Sequence, residues 1–207
     1  MRTTIVIAAA LAAFAVAPAP APADGLPFGS IDAGWTGVTA AGASARYVAL
    51  PAGGDTLVAR VLRDGGQVLR SRMLHGRFTI PAVALDGTPA GLSADGRTLV
   101  LIRPRVGFPQ ARTTLRVLRA GLLRVRREIA LPGDFSFDAL APDGKRIYLI
   151  QYTSRRDPAH YRVRAYDTAA GRLLPGAIVD PREPGEQMRG YPLTRATSTD
   201  GRWAYTL

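Results

Sequence analysis

The chain has 207 residues, a formal charge of +11, and neither cysteine nor asparagine. Without cysteine there can be no disulfide, no thiolate metal site and no cysteine nucleophile; without asparagine there is no N-glycosylation and one common calcium ligand is gone. Of the 27 basic residues only Lys145 is lysine, a bias that, with abundant Ala, Gly, Leu and Pro, matches a high-GC bacterial genome. The arginines are spread along the chain without interleaved aromatics, so the charge points to an anionic cell envelope rather than to nucleic acid.

Met1-Arg2 opens the chain with a weakly positive segment, and Ile5 to Val16 is an unbroken apolar run. Ala21-Pro22-Ala23 places small residues where a signal peptidase reads them, so residues 1–23 are expected to be a secretory signal peptide. The run holds 12 residues, short of the roughly 20 that a spanning helix requires. With no cysteine near the cleavage site, a lipoprotein anchor is excluded. Cleavage leaves 207 − 23 = 184 residues, enough for one domain with a core of its own. No second apolar stretch of spanning length follows, so the mature part is expected to be soluble and extracytoplasmic, secreted or bound to the cell envelope. Residues 24–34 are read as a flexible Ala/Pro-rich lead-in.

From Trp35 onward, short apolar runs alternate with turn signals. Asp-Gly occurs at Asp64-Gly65, Asp86-Gly87, Asp95-Gly96, Asp143-Gly144 and Asp200-Gly201. This pair supplies the left-handed backbone of tight hairpins. No apolar period of 3.6 is sustained over ten residues, so the domain reads as all-β.

The turns also repeat. Leu92-Ser93-Ala94-Asp95-Gly96-Arg97 is matched by Leu140-Ala141-Pro142-Asp143-Gly144-Lys145 and by Thr197-Ser198-Thr199-Asp200-Gly201-Arg202. A second strand-to-hairpin element recurs from Arg60, Arg116 and Arg164. Two hairpins per period of about 45–55 residues give four strands per unit, the repeat of a β-propeller blade. Strands are expected near 35–40, 45–50, 56–63 and 67–74 in the first unit, and near 88–93, 98–103, 113–119 and 122–131 in the second. The third has 135–140, 146–152, 161–167 and 172–179. The units then occupy about 35–75, 88–131 and 135–179, with an incomplete fourth over 191–207. Three and a half blades leave an open edge, so the chain is expected to be part of a longer protein. Pairing between chains through that edge, or a sandwich in place of a propeller, are the alternatives.

Ser-Ala-Asp-Gly-Arg at 93–97, Ala-Pro-Asp-Gly-Lys at 141–145 and Ser-Thr-Asp-Gly-Arg at 198–202 resemble the Ser-Pro-Asp-Gly-Lys turn of TolB-like and YVTN-type propeller repeats. Val163 to Asp167 with Gly171 to Leu174 resembles the closing hairpin of WD-type blades, although no Gly-His pair opens a blade and Trp-Asp is absent. The resemblance covers roughly residues 35–207 and implies a fold more than a function, since such propellers serve as scaffolds, receptors and enzymes.

No residue is assigned a catalytic, cofactor-binding or metal-binding role. His75 and His160, the only histidines, are read as residues at loop borders. The Asp-Gly turns offer one carboxylate each, fewer than a calcium loop needs. No Gly-x-Ser-x-Gly elbow is present. The charged, Pro-rich stretch Asp180 to Tyr191 is the most distinctive loop, a connector that could line a propeller face. Arg116, Arg119, Arg124 and Arg126 alternate with apolar residues and are read as the wet face of outer strands. The expected function is an exported binding or scaffold module for a protein, glycan or envelope component. The alternative is a lactonase-like or quinoprotein-like enzyme whose site lies largely in further blades.

Overall fold

The computed structural model describes residues 33–64, 66–179 and 190–206. The expected signal peptide, residues 24–32 of the lead-in and most of the Asp180–Tyr191 stretch lie outside the described residues.

The described chain is all-β. Strands β1 (Ala45–Ala52), β2 (Asp55–Leu62) and β3 (Val68–Leu74) form an antiparallel sheet in chain order. A second sheet holds β4 (Thr98–Ile102), β5 (Arg112–Arg119) and β6 (Arg124–Pro132). The third is four-stranded, built from β7 (Phe135–Leu140), β8 (Arg146–Tyr152), β9 (Tyr161–Asp167) and β10 (Arg172–Leu173). A final pair, β11 (Arg195–Thr197) and β12 (Ala204–Thr206), begins a fourth. The first two sheets gain an innermost element from isolated bridges, Val38 to Tyr47 and Leu92 to Leu99.

Side-chain alternation explains how the sheets stack. Every residue of β4, Thr-Leu-Val-Leu-Ile, is buried, so neither face of this strand meets water. Leu99 and Leu101 join Val58, Leu74, Phe78 and Ile80 in one apolar cluster. Val100 and Ile102 point the other way, into a second cluster with Leu115, Phe135, Phe137 and Leu149. The period of two delivers alternate residues to the cores on either side, and the second sheet is packed between the first and the third. Outer strands show the opposite character: six of the seven residues of β3 are exposed. Burial that falls from inner to outer strand, with sheets packed face to face, is an open, propeller-like arrangement.

A repeated polar latch joins one sheet to the next. The Thr56 hydroxyl donates to the Gly76 carbonyl at 2.8 Å and accepts from the Phe78 amide at 2.7 Å. One sheet later the Thr113 hydroxyl donates to the Gly133 carbonyl at 3.1 Å and accepts from the Phe135 amide at 2.9 Å. Both glycines have positive φ, +88° and +102°, which a side chain would strain. They recur with Gly190 at a spacing of 57 residues (133 − 76 and 190 − 133), a period tighter than that of the Asp-Gly turns.

Two expectations are corrected. Residues 88–93 do not form one continuous strand beside β4: Gly91 to Ser93 pair with it, whereas 88–90 are the returning arm of an inserted hairpin. Its arms are tied by the Ala82–Pro89 bridge and by the Val83 amide donating to the Thr88 carbonyl at 3.0 Å, and its turn is Asp86-Gly87. Leu85 and Asp86 donate their amides to the carbonyls of Pro192 and Leu193, so this turn joins the second unit to the start of the fourth. Arg116 is likewise not simply a solvated residue. Its guanidinium lies 4.2 Å from the Phe78 ring centroid, pairs with Glu128 at 2.9 Å and donates to the His75 carbonyl at 2.6 Å. Arg119, Arg124 and Arg126 are exposed, as expected.

Candidate functional site

The innermost segments of all four units converge on one cavity of about 480 Å³. Thr39 to Ala41 come from the first unit, Thr88 to Ala94 from the second, Asp138 to Leu140 from the third, and Arg195, Thr197 to Thr199, Gly201 and Ala204 from the fourth. The repeated turns build part of its rim.

In the second unit the Ser93 hydroxyl donates to Asp95 Oδ1 at 2.6 Å and accepts from the Thr98 amide at 3.0 Å. Ser198, Asp200 and Trp203 reproduce this with the same two distances. Alanine stands at the equivalent position 141, so that turn keeps the acceptor bond from the Lys145 amide to Asp143 Oδ1, 2.9 Å, without the hydroxyl. Hydrogen bonds from Ser198 and the Arg202 amide hold the Asp200 carboxyl below its usual range, and the Lys145 amide does the same for Asp143. These carboxylates are committed to their own turns, as the sequence implied.

The turns also touch one another. The Asp95 amide donates to the Pro142 carbonyl at 3.3 Å. A Cβ at Gly201 would come within 2.9 Å of Ala94 Cβ, and one at Gly144 would collide with the Thr98 side chain. Glycine is required there for close approach as well as for its positive φ of +69° and +70°.

The chemistry of the lining is spare. Among the described residues its only ionisable side chains of opposite charge are Asp138 and Arg195, paired at 2.7 Å, with Arg195 also donating to the Asp138 carbonyl at 2.7 Å. The two side chains are 16% and 6% exposed, so each charge is matched by its partner. Tyr161 stands close enough to feel both. Burial chiefly raises its pKa, Asp138 adds to the rise and Arg195 opposes it. The rest of the lining is alanine, glycine, hydroxyl groups and a few aliphatic side chains. Such a surface can hold an uncharged group by backbone and hydroxyl hydrogen bonds.

The histidines lie outside this cavity. His75 follows β3, 95% exposed, with Nδ1 3.1 Å from Asp55. His160 sits before β9, with Nδ1 2.7 Å from Asp157. Among the described residues no cluster of three or more His, Asp or Glu could hold a metal ion. Of the Asp180–Tyr191 candidate loop, only Gly190 and Tyr191 are described; the Gly190 amide donates to the Ala159 carbonyl at 3.2 Å.

A second polar centre, absent from the sequence reading, lies between the second and third sheets. Arg105, from the β4–β5 loop, is ion-paired with Asp134 just before β7, the side chains 3% and 6% exposed. Arg105 also donates to Ser136 Oγ at 3.1 Å and lies 5.0 Å from the Tyr152 ring centroid. The other Asp134 oxygen accepts from the Gln110 amide at 2.9 Å. These contacts tie the β4–β5 loop to the start of the third sheet, a joint between sheets. The signal for it was faint: Asp134 occupies the middle of the Gly-x-Phe link, where the preceding link carries Arg77.

No protein-family model matches the chain. No curated protein matches it either. Among solved structures it is similar to Kuenenia stuttgartiensis hydrazine synthase, with a TM-score of 0.51 and 18% identity over 80% of this chain and 47% of that one. An uncharacterised Listeria monocytogenes protein gives a TM-score of 0.47 at 12% identity, over 70% of this chain and 40% of its own. The chain thus spans less than half the length of either. The likeness is one of fold. Among the described residues no helix is long and apolar enough to cross a membrane.

Proposed function

We propose that the chain is an exported binding module of the TolB-like or YVTN-type propeller class, which takes an uncharged group of an extracytoplasmic protein or glycan into its central cavity. The observation that supports this most is the lining where four units meet: hydroxyls, backbone and alanine, with one ion pair that already satisfies itself. Ligand sites of this kind are concave, largely pre-formed and carry few orienting polar groups. The apolar run Ile5 to Val16 and the small residues at 21–23 support export, and the +11 charge suits an anionic envelope. The lactonase-like or quinoprotein-like reading gains nothing from the described cavity residues.

The test is an array of neutral saccharides and unstructured peptides presented to the immobilised mature chain. Thr199→Trp and Ala41→Trp, at exposed rim positions from different units, would narrow the cavity without touching the core. Binding by the parent chain that both variants abolish supports the reading. Binding that neither variant changes, or turnover of a bound compound, contradicts it.

A further inference from the structure

We propose a second binding site, separate from the central cavity, for a ligand carrying two or more tetrahedral oxyanions, phosphate or sulfate. It is a cleft of about 780 Å³ lined by Arg60, Arg97, Arg119, Arg126 and Lys145, with Tyr47 and two turn aspartates.

Three units place these cations together. Arg60 lies on β2, directly across from Tyr47 of β1. Arg97 precedes β4, and Arg119 ends β5 opposite Thr98. Arg126 stands on β6, and Lys145 closes the Asp143-Gly144 turn of the third unit. The Asp-Gly turns and the β5–β6 connection emerge at the same end of the sheets, so the strand register gathers the charges.

Five cations face two aspartates, which leaves an excess of positive charge in the cleft. Asp95 Oδ1 accepts from Ser93 Oγ at 2.6 Å and from the Arg97 amide at 3.0 Å, within its own turn. Asp143 accepts from the Lys145 amide and pairs with Lys145 Nζ at 3.3 Å. Among the described residues, Arg60, Arg97, Arg119 and Arg126 have no carboxylate partner, whereas Arg105, Arg116 and Arg195 each have one.

Four unpaired guanidinium groups and an ammonium around one concavity repel one another. Guanidinium forks match tetrahedral oxyanions in shape and bind them bidentately. A single anion would meet only part of this set; a ligand with several would meet cations from all three units. Nucleic acid fits less well. The one ring lining the cleft, Tyr47, is 6% exposed, and leaves no face on which a base could stack.

The experiment uses the chain as it stands, with tripolyphosphate as the soluble probe, titrated calorimetrically at low and at physiological salt. Arg97→Gln/Arg126→Gln removes two exposed cleft cations. Arg155→Gln/Arg156→Gln, exposed in the β8–β9 loop at the end of the third sheet opposite the Asp143-Gly144 turn, removes the same charge away from the cleft. Loss of at least about tenfold in affinity in the cleft variant, with the loop variant within about twofold of the parent, is expected from two lost charge-assisted contacts. A parallel arm replaces tripolyphosphate with vesicles containing phosphatidylglycerol. Selective loss in the soluble arm identifies a free phosphorylated ligand, and selective loss in the vesicle arm alone identifies a lipid headgroup. Equal weakening by the loop variant, or no binding by the parent chain in either arm, overturns the proposal. Thermal unfolding checks that both variants are folded.

Discussion

The Thr194 hydroxyl donates to Asp86 Oδ2 at 2.7 Å across 108 residues of sequence. The same carboxylate accepts from the Thr88 amide at 2.8 Å and from the Thr88 hydroxyl. One aspartate therefore folds its own turn and fastens the strand entering the fourth unit. The Thr88 and Thr194 hydroxyls, then the Thr88 amide, hold its pKa below the usual 3.8. A depressed folded-state pKa contributes stability above the unfolded value that is lost as pH falls through the folded one. Hydrogen-exchange protection of the Leu85 and Asp86 amides, which bond to Pro192 and Leu193, should hold at pH 6 and decline below pH 3.8. Asp86→Asn should remove that pH dependence at these two amides. Unchanged acid sensitivity in Asp86→Asn would show that another carboxylate controls the contact.

The Arg105–Asp134 pair should be the most sensitive polar site outside the apolar cores. Asp134→Ala leaves a buried guanidinium without its counter-charge and the Gln110 amide without its acceptor. Removing one partner of a buried pair typically costs about 3–5 kcal/mol. Arg105→Met/Asp134→Leu should recover much of that, since no lone charge then remains. Urea unfolding of the two variants beside the parent chain measures both. A loss under about 1 kcal/mol for Asp134→Ala would mean that water reaches the pair and screens it.

Thr56→Val and Thr113→Val test the latch between sheets. Each strips a buried amide, Phe78 or Phe135, of its acceptor, at a cost of about 1–3 kcal/mol. The two latches share no partner, so the double variant should lose roughly the sum. Serine at either position should restore most of the loss, because the hydroxyl remains. Equal loss for serine and valine would assign the effect to the methyl group.

Burial chiefly pushes the Tyr152 hydroxyl up to about 12, from 10.0, with Ser136 and Arg105 opposing. Here the folded pKa is the higher one, so stability is complete below pH 10 and is lost between 10 and 12. The loss should approach about 3 kcal/mol. Tyr152→Phe should flatten this part of the stability–pH curve, read from chemical denaturation at pH 9 and pH 11. A parallel fall in both proteins would place the alkaline sensitivity elsewhere.

Much of the framework could be read from residues because it is set locally. An Asp-Gly turn works over five residues, and Ser93 and Ser198 make the same bonds in the same places. The strand expected near 98–103 is β4, a continuous apolar run buried on both faces. What escaped was set across the chain. Nothing local distinguishes Asp86-Gly87, which reaches past the third unit to the fourth, from Asp95-Gly96, which meets the turn of the adjacent third unit. Arg105 and Asp134 are 29 residues apart, so nothing local pairs them, and Arg116 read as a solvated strand residue. The 57-residue glycine spacing was present in the sequence, but the Asp-Gly turns masked it with their own irregular spacing. The central lining carries no chemical signature in sequence, since alanine and threonine become a cavity only when four units meet.

The inserted hairpin changes how the array should come apart. A linear stack whose members touch only their neighbours can fray from either end, each member leaving separately. Here the turn at Asp86 reaches past the third unit to the fourth, so the last strands cannot detach without releasing a segment whose stem, Ile80 to Ala84, is buried in the core. Mechanical or thermal loss of the outermost pair should therefore propagate inward, and the described units should melt together as one cooperative body.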